Sequence, residues 1–263
     1  MLFVILLILL SAGYSLLYSL IPLSIWYLFL WIPLGIISGA LTLVLLVLLY
    51  LLVASKTKCT NSLKHIVLRN VVWLVFKVFH IKLDIVGKEN IPNGTFVIYG
   101  NHKSNMDPLI LYYAMHVKCT AIGKKSLFVH PIMKLVAKTF GAIAIDREND
   151  REAAKSIVQG IKLVKNGVPI IIFPEGGIKS RETDEMVNLR AGAYKLAVKS
   201  EAPILPCSII GASKISETKR RKKKIIRVIF HKPIYKEEYA GKNTTEIGQE
   251  VEKIINDGIK NGC

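Results

Sequence analysis

Charge is distributed unevenly along the chain, and the boundary lies near residue 55. Residues 1–55 contain no Asp, Glu, Lys or Arg, and every charged side chain follows them. A helix needs about 20 apolar residues to cross the hydrocarbon core of a bilayer. The segment therefore predicts two passes, near 2–21 and 33–53. Prolines, together with Trp and Tyr, which prefer the membrane interface, mark the turn between them. The turn residues are Pro22, Ser24, Trp26, Tyr27, Trp31 and Pro33.

The first basic residues predict how this anchor is oriented. Lys56 and Lys58 follow the second pass directly, and basic residues mark the cytoplasmic side of a span. We therefore expect a cell-membrane protein whose remaining residues lie on the cytoplasmic face. A re-entrant hairpin within one leaflet is the alternative, because the turn carries no charge that would hold it in water.

Residues 56–81 form a transition between the anchor and the rest of the chain. The pattern predicts a helix over 62–80, with Leu63 and Ile66 on its apolar side. Such a helix either lies in the membrane interface with its apolar side down or packs on the core of a domain. The opposite stripe, which recurs every four residues, consists of His65, Arg69, Trp73 and Lys77.

From residue 82 to residue 263, short apolar runs alternate with helical patterns. This alternation predicts an α/β domain with a mixed, mostly parallel sheet surrounded by helices. The expected strands are 82–86, 95–100, 119–123, 141–145, 168–173, 204–210 and 225–230. The expected helices are 108–116, 126–138, 151–165, 190–200 and 244–258.

The charge balance narrows the choice of partners. The chain carries 36 Lys+Arg against 19 Asp+Glu, a net charge of +17. A basic surface suits nucleic acid, anionic lipid or an acidic substrate. The apolar N-terminal segment favours membrane lipid, so we expect no nucleic-acid partner. The basic run Lys219–Lys224 is either a solvated loop or a clamp on anionic headgroups.

The first candidate chemical segment is residues 101–107 (NHKSNMD), which follow an expected strand. Asp107 before Pro108 is a typical helix start. The turn can bring His102 back to Asp107, whose carboxylate would fix the tautomer and leave the other imidazole nitrogen as a base. The alternative is a simple helix cap beside a turn residue. His102 and Asp107 have no further metal-ligating residues at a suitable spacing in the sequence, so we expect no metal at this segment.

Two further segments end in polar groups where expected strands stop. The strand 141–145 is followed by Asp146 and Arg147. Arg grips phosphate in a planar, bidentate manner, although a surface Asp–Arg pair is the alternative. The apolar run ending at Phe173 leads into Pro-Glu-Gly-Gly, whose glycines allow close backbone approach to a ligand. Glu175 either contacts glycerol hydroxyls, holds basic groups, or is a turn carboxylate.

In this order the segments resemble the glycerolipid acyltransferase family, in particular the 1-acylglycerol-3-phosphate acyltransferases. That family has Asn-His-x-x-x-x-Asp, Gly-x-x-x-Ile-Asp-Arg, Phe-Pro-Glu-Gly and Pro-x-x-Pro blocks. All of them occur here between Asn101 and Pro206, and the resemblance covers roughly residues 62–235. The last block, residues 203–206, also fits a simple edge strand or bend.

The resemblance implies roles for particular residues. It makes His102 the catalytic base and Asp107 its orienting partner. It also implies a set of residues that bind the acceptor or lie beside the base. These residues are Ser104, Lys124, Lys125, Arg147, Glu175, Gly176, Gly177, Lys179 and Arg181. Ser104 could equally satisfy the backbone of its turn.

The activity that the resemblance implies is acyl transfer in one complex. A fatty acyl group would pass from acyl-CoA or acyl carrier protein, as co-substrate, to the free hydroxyl of lysophosphatidate, without cofactor or metal. The product would be phosphatidic acid. Gly177 and Ile178 stand where the family usually has Thr and Arg, so another lysolipid acceptor is the alternative. A non-catalytic module that binds anionic lipid is the rival from another class.

Overall fold

The computed structural model describes residues 2–20, 28–187, 189–217 and 222–262. The predicted turn residues Pro22, Ser24, Trp26 and Tyr27, and the first part of the basic run at 219–221, lie outside them. The helices are α1 (Leu2–Ser19), α2 (Leu28–Ala54), α3 (Ser62–Val78), α4 (Asp107–Met115), α5 (Pro131–Phe140), α6 (Asp150–Lys165), α7 (Lys195–Ser200), α8 (Lys214–Glu217), α9 (Lys236–Tyr239) and α10 (Thr244–Gly262). The strands are β1 (Ile81–Val86), β2 (Val97–Gly100), β3 (Thr120–Lys124), β4 (Ile143–Ile145), β5 (Ile170–Ile172), β6 (Ile204–Ile210) and β7 (Lys224–Phe230).

The strands join in the order β1-β7-β6-β2-β5-β3-β4. Neighbours from β6 to β4 are parallel. β7 pairs antiparallel with β6 and carries β1 parallel to itself. The predicted mixed, mostly parallel sheet is therefore confirmed. Because β2, β3, β4, β5 and β6 run the same way, their carboxyl ends share one edge, which is where sites gather in such sheets.

Helices cover both faces of the sheet. Alternate strand residues point to opposite faces, so Tyr99 and Ile172 join one core with residues of α6, α7 and α10. Ile98 and Phe173 join the other core with residues of α3 and α4. The domain is thus a three-layer α/β/α arrangement, with β2 and β5 in the middle and buried on both faces.

The predicted helix over 126–138 is wrong at its start. Residues Lys125–Phe128 form a short 3-10 helix, and α5 begins only at Pro131. A residue before proline favours extended backbone, and His130 is extended at φ −69°, ψ 131°. Pro131 then occupies the first helical position, where its missing N–H costs no hydrogen bond. Gly141, in the left-handed region, ends the helix.

The predicted helix over 190–200 is also shorter than expected. Ala191–Tyr194 form a 3-10 helix and only Lys195–Ser200 are α-helical. In the other direction, α10 runs four residues past the expected end at 258, up to Gly262. Gly258 stays helical because its missing side chain makes room for His231 and Ser208.

The N-terminal helices form an antiparallel pair. The Tyr14 hydroxyl lies 3.0 Å from Thr42 Oγ1, and the Tyr18 hydroxyl lies 2.7 Å from Ser38 Oγ. Among the described residues, Leu2–Ser19 and Phe29–Ala54 are the two helices long and apolar enough to cross a membrane. Placing Pro33 in the break was wrong: it lies inside α2, where it removes one backbone hydrogen bond early in the helix.

Helix α3 combines features of both alternatives predicted for it. His65 is buried, with Nδ1 3.0 Å from the Tyr112 hydroxyl and Nε2 2.9 Å from the Cys59 carbonyl. The polar stripe therefore faces α4 at this point, not solvent. Leu63 and Ile66 remain exposed on the outside, so the interfacial role of this helix stays a prediction.

Candidate functional site

The turn between β2 and α4 brings His102 to Asp107. His102 Nδ1 donates a hydrogen bond to Asp107 Oδ2 at 3.0 Å. The same oxygen accepts the backbone N–H groups of Lys103 at 2.7 Å and Ser104 at 2.8 Å. Asp107 is fully buried. The carboxylate thus shapes the turn and orients the imidazole at the same time. The alternative of a simple helix cap is wrong, because Asp107 is the first residue of α4, Met106 is its N-cap, and the N–H groups that Asp107 accepts precede the helix.

The His102 ring is held from a second direction. It stacks on Phe173, with ring centroids 4.4 Å apart and an interplanar angle of 18°. Its side chain keeps 13% of its surface exposed. Within the described residues, Nε2 has no hydrogen-bond partner. An imidazole with one nitrogen tied to a carboxylate and the other free has the geometry of a general base.

Glu175 supports the loop that carries His102. It follows β5 at the same sheet edge and is fully buried. Its Oε1 accepts the His102 backbone N–H at 2.8 Å, and its Oε2 accepts Lys103 Nζ at 3.1 Å. Burial raises the pKa of Glu175 above its usual value, while both donors oppose that shift. The carboxylate therefore holds a basic group, which is one of the roles that the sequence left open.

Two guanidinium groups meet beside this loop. Arg147 Nη1 donates to the Gly176 carbonyl, and Arg190 Nη1 donates to the Arg147 carbonyl at 3.0 Å. Burial, followed by the charge of Arg190, lowers the pKa of Arg147. No carboxylate among the described residues forms a salt bridge with either group. The pair is therefore a suitable site for an anion.

The two glycines make this approach possible. Gly176 has φ 72° and Gly177 has φ 144°, which are left-handed values that favour glycine. A Cβ on Gly176 would lie 2.7 Å from Arg190 Nε. The sequence did not single out Arg190 as a site residue. The available signal was its position in the Leu-Arg-Ala-Gly stretch that resembles the family's segment before the last block.

The other predicted binding residues lie around the site and make few contacts with it. Lys124 and Lys125 lie exposed at the carboxyl end of β3, and Lys125 Nζ is 3.2 Å from Asp146 Oδ2. Lys179 and Arg181 are exposed on the loop after Glu175. The buried Ser104 hydroxyl accepts the Met106 N–H at 3.2 Å, which matches its alternative role in the turn.

A cavity of about 870 Å³ adjoins the arginine pair. Its wall is mostly apolar, and basic side chains of α6 and α7 lie at its rim. Ile172 faces this cavity, whereas the next residue, Phe173, faces His102 on the other side of β5. The cavity is lined by Ile145, Arg147, Asp150, Ala153, Ala154, Ile157, Val158, Ile161, Lys165, Ile172, Pro174, Gly176, Arg190, Gly192, Ala193, Lys195 and Lys199.

Comparison with known proteins shows the family of the chain. Residues 82–210 match the family model described as Acyltransferase. The chain is 31% identical over 184 residues to the 1-acyl-sn-glycerol-3-phosphate acyltransferase of Bacillus subtilis, covering 68% of this chain and 86% of that protein. The chain belongs to the 1-acyl-sn-glycerol-3-phosphate acyltransferase family. The resemblance read from the four sequence blocks is therefore confirmed.

A second sequence relative and one solved structure are also similar to this chain. A probable 1-acyl-sn-glycerol-3-phosphate acyltransferase of Mycoplasma pneumoniae is 36% identical over 172 residues, which span 59% of this chain and 62% of that protein. The fold is shared with the crystal structure of the 1-acyl-sn-glycerophosphate acyltransferase from Thermotoga maritima. That match has a TM-score of 0.64 at 21% identity and covers 81% of this chain and 86% of that chain.

Proposed function

We propose that this family member transfers a fatty acyl group from a thioester to the free hydroxyl of 1-acylglycerol-3-phosphate, forming phosphatidic acid. The observation that carries the proposal is the His102–Asp107 pair, whose free imidazole nitrogen lies beside a loop that contacts a guanidinium pair. The names of the similar proteins support the same acceptor. One loop joins the base to the anion site, because Glu175 accepts the His102 backbone N–H and the adjacent Gly176 carbonyl accepts Arg147 Nη1.

The proposed reaction takes place in one complex. His102 Nε2 accepts the proton of the acceptor hydroxyl, and the oxygen attacks the thioester carbonyl. The carbon–sulfur bond then breaks, and the imidazolium returns its proton to the departing thiolate. Asp107 stabilises the imidazolium through its hydrogen bond to Nδ1. Proton transfer by a positioned base typically contributes about 10²- to 10⁴-fold to a rate.

Arg147 and Arg190 are the proposed contacts for the acceptor phosphate, with Lys124, Lys125, Lys179 and Arg181 adding positive charge around them. Neither guanidinium is neutralised by a carboxylate in the described part of the chain, so a phosphate would relieve their mutual repulsion. The neighbouring apolar cavity is the proposed place for an acyl chain. Because Gly177 and Ile178 replace the family's usual Thr and Arg, another lysolipid acceptor remains the second candidate.

The helix pair α1–α2 and the basic surface support a place at the cell membrane, with the catalytic domain on the cytoplasmic side. The proposed donor is acyl-CoA or acyl carrier protein, and both are acidic partners that a net charge of +17 attracts. The proposed reaction uses neither metal nor cofactor, because every proton and bond change is accounted for by His102 and the two substrates.

The test is product analysis by mass spectrometry with purified protein, lysophosphatidate and either acyl-CoA or acyl carrier protein. We expect phosphatidic acid from the parent protein and at least about a hundredfold lower rate from His102→Gln. The matched control is His116→Gln, because His116 is exposed and follows the far end of α4, whose first residue is Asp107. Equal rates for His102→Gln and the parent would refute the base, and a preference for another lysolipid would refute the acceptor.

A further inference from the structure

The segment between β3 and α5 leaves a cluster of apolar side chains uncovered. The exposed fractions are 51% for Leu127, 77% for Val129, 47% for Ile132 and 42% for Met133. We call these side chains the 127–133 patch. Outside α1 and α2, the other large exposed apolar side chains in the described residues are three on α3 and one each on β1, α6 and β7 and before α9. A clustered apolar patch of this kind marks an interaction surface.

The contacts of Phe128 and the position of Pro131 keep the patch side chains exposed. Phe128 turns inward onto Gly123, where a Cβ would lie 3.1 Å from the Phe128 ring. The next residue, Val129, therefore points away from the domain, and Leu127 stays half exposed although its Cδ1 also approaches Gly123. Pro131 then fixes the start of α5, whose first turn presents Ile132 and Met133 on the outside. The patch is thus held in place at both ends by specific contacts.

The patch is connected to the apolar helix pair through α5. Thr139 Oγ1, near the end of α5, donates to the Leu51 carbonyl of α2 at 3.3 Å. Lys64 Nζ is buried and donates to the carbonyls of Thr57 at 2.9 Å and Thr139 at 2.8 Å. These bonds fasten α5 to the last turns of α2. A surface that contacts a membrane through α2 therefore continues onto α5.

The lysines on both sides of the patch favour a negatively charged surface as its partner. Lys124 and Lys125 precede the patch, and Lys134 and Lys138 follow it. The sequence from 118 to 145 contains no Asp or Glu, and Asp146, the next residue, pairs only with Lys125 among these lysines. Apolar side chains flanked by lysines are typical of segments that enter the boundary between headgroups and acyl chains of anionic membranes.

We propose that the 127–133 patch is a second membrane contact, immersed about 5–10 Å into the boundary layer of an anionic bilayer beside α2. It follows the carboxyl end of β3, so it lies at the same sheet edge as His102. Immersion therefore turns the edge with His102 and the arginine pair towards the lipid surface. This consequence for substrate access rests on the proposed function, whereas the contact itself does not.

The contact is tested by tryptophan fluorescence in the full-length protein, reconstituted in vesicles of phosphatidylcholine and phosphatidylglycerol. Val129→Trp places the probe in the patch. The matched control is Tyr235→Trp, since Tyr235 is also exposed but lies at the opposite edge of the sheet, next to the bridge between Ile204 and Ile234. The parent protein gives the background of the native tryptophans in both cases.

Lipids brominated near the headgroup end of their acyl chains quench only probes that enter the boundary layer. We expect the added emission of Val129→Trp to fall about twofold or more and that of Tyr235→Trp to stay unchanged. Equal emission with and without bromine for Val129→Trp would overturn the proposal. Blue-shifted but unquenched emission would also overturn it, because a second protein copy would then cover the patch.

The consequence for access is tested separately with the double variant Val129→Asp/Ile132→Asp. We expect its rate on long-chain acceptor in vesicles to fall about tenfold, while its rate on a short-chain, monomeric acceptor stays equal to the parent rate. An unchanged ratio of the two rates would overturn the effect on access. Lack of activity in the parent protein would refute the proposed function, yet quenching would still decide the contact.

Discussion

At the scale of single residues, Asp107 both orients the catalytic imidazole and holds the turn that carries it. One of its oxygens accepts three hydrogen bonds, from the His102 ring and from two backbone N–H groups. The sequence predicted the pairing because a turn before Asp107 can fold His102 back towards its carboxylate. It could not predict that the same oxygen also fixes the turn, because this depends on the backbone directions at Lys103 and Ser104.

Asp107→Asn separates these two tasks. The amide oxygen can still accept all three donors, but the NH2 group replaces Oδ1, which is buried without a partner. We therefore expect the protein to fold with a free energy of unfolding lower by about 1–3 kcal/mol. The negative charge that stabilises the imidazolium is lost, so kcat should fall about 10²- to 10⁴-fold. Calorimetry and product analysis check the two parts. A kcat within a factor of a few of the parent value would contradict the role of the charge.

Glu175→Gln tests whether this residue positions the base or binds the acceptor. Gln can keep the bond to the His102 N–H, but it leaves the buried Lys103 ammonium without its carboxylate. Breaking a buried pair in this way costs about 3–5 kcal/mol of unfolding free energy. We expect lower stability and lower kcat with little change in the acceptor KM.

The control for that variant removes the unpaired charge. Adding Lys103→Met to Glu175→Gln should restore most of the stability, because no buried ammonium is left without a partner. Chemical unfolding of both variants measures the difference. An increase in KM with unchanged kcat would instead place Glu175 against the glycerol hydroxyls.

At the scale of elements, apolar runs predicted the strands well and helix starts less well. Each expected strand has an observed counterpart within about two residues at most ends, because β2, β5 and β6 are buried on both faces and therefore apolar throughout. The start of α5 was missed because Pro131 fixes it locally, whereas periodicity alone extends the helix back to 126.

The length of α10 gives a prediction about packing. A Cβ at Gly258 would collide with the His231 ring and lie 2.8 Å from Ser208 Oγ. Overpacking costs about 1–3 kcal/mol, which outweighs the gain of about 1 kcal/mol that Ala brings to a helix. We expect Gly258→Ala to lower the unfolding free energy, as measured by denaturant titration in detergent.

Gly192→Ala is the comparison for Gly258→Ala. A Cβ at Gly192 meets nothing within 4 Å, so we expect no loss of stability there. Equal stability of Gly258→Ala and the parent would show that α10 can shift away from β6 without cost.

At the scale of the whole molecule, the buried His65 and the partly buried His231 couple folding to pH. Burial is the leading cause that lowers the pKa of His65 and of His231 below their usual 6.5. The unfolded chain therefore binds protons near pH 6.5 that the folded chain does not bind. Stability should be constant above that pH and fall as the pH drops below it, by about 1.4 kcal/mol per pH unit for each such proton.

His231→Gln isolates one of these protons. We expect the melting temperature of the parent to drop between pH 7.5 and pH 5.5, and the variant to show a smaller drop. Scanning calorimetry at both pH values provides the measurement. An identical drop in parent and variant would show that His231 does not contribute to the pH dependence.

The sequence by itself determined where the long apolar helices, the strands and most of the other helices lie, because hydrophobicity and period are properties of residue order. It also determined the family, because four blocks with defined spacing occur in one order. Only the tertiary structure decided that Glu175 holds the His102 loop, that Arg190 joins Arg147, and that the 127–133 patch stays uncovered. Each of these depends on which distant segments the sheet brings to one edge, and residue order alone does not specify those distances.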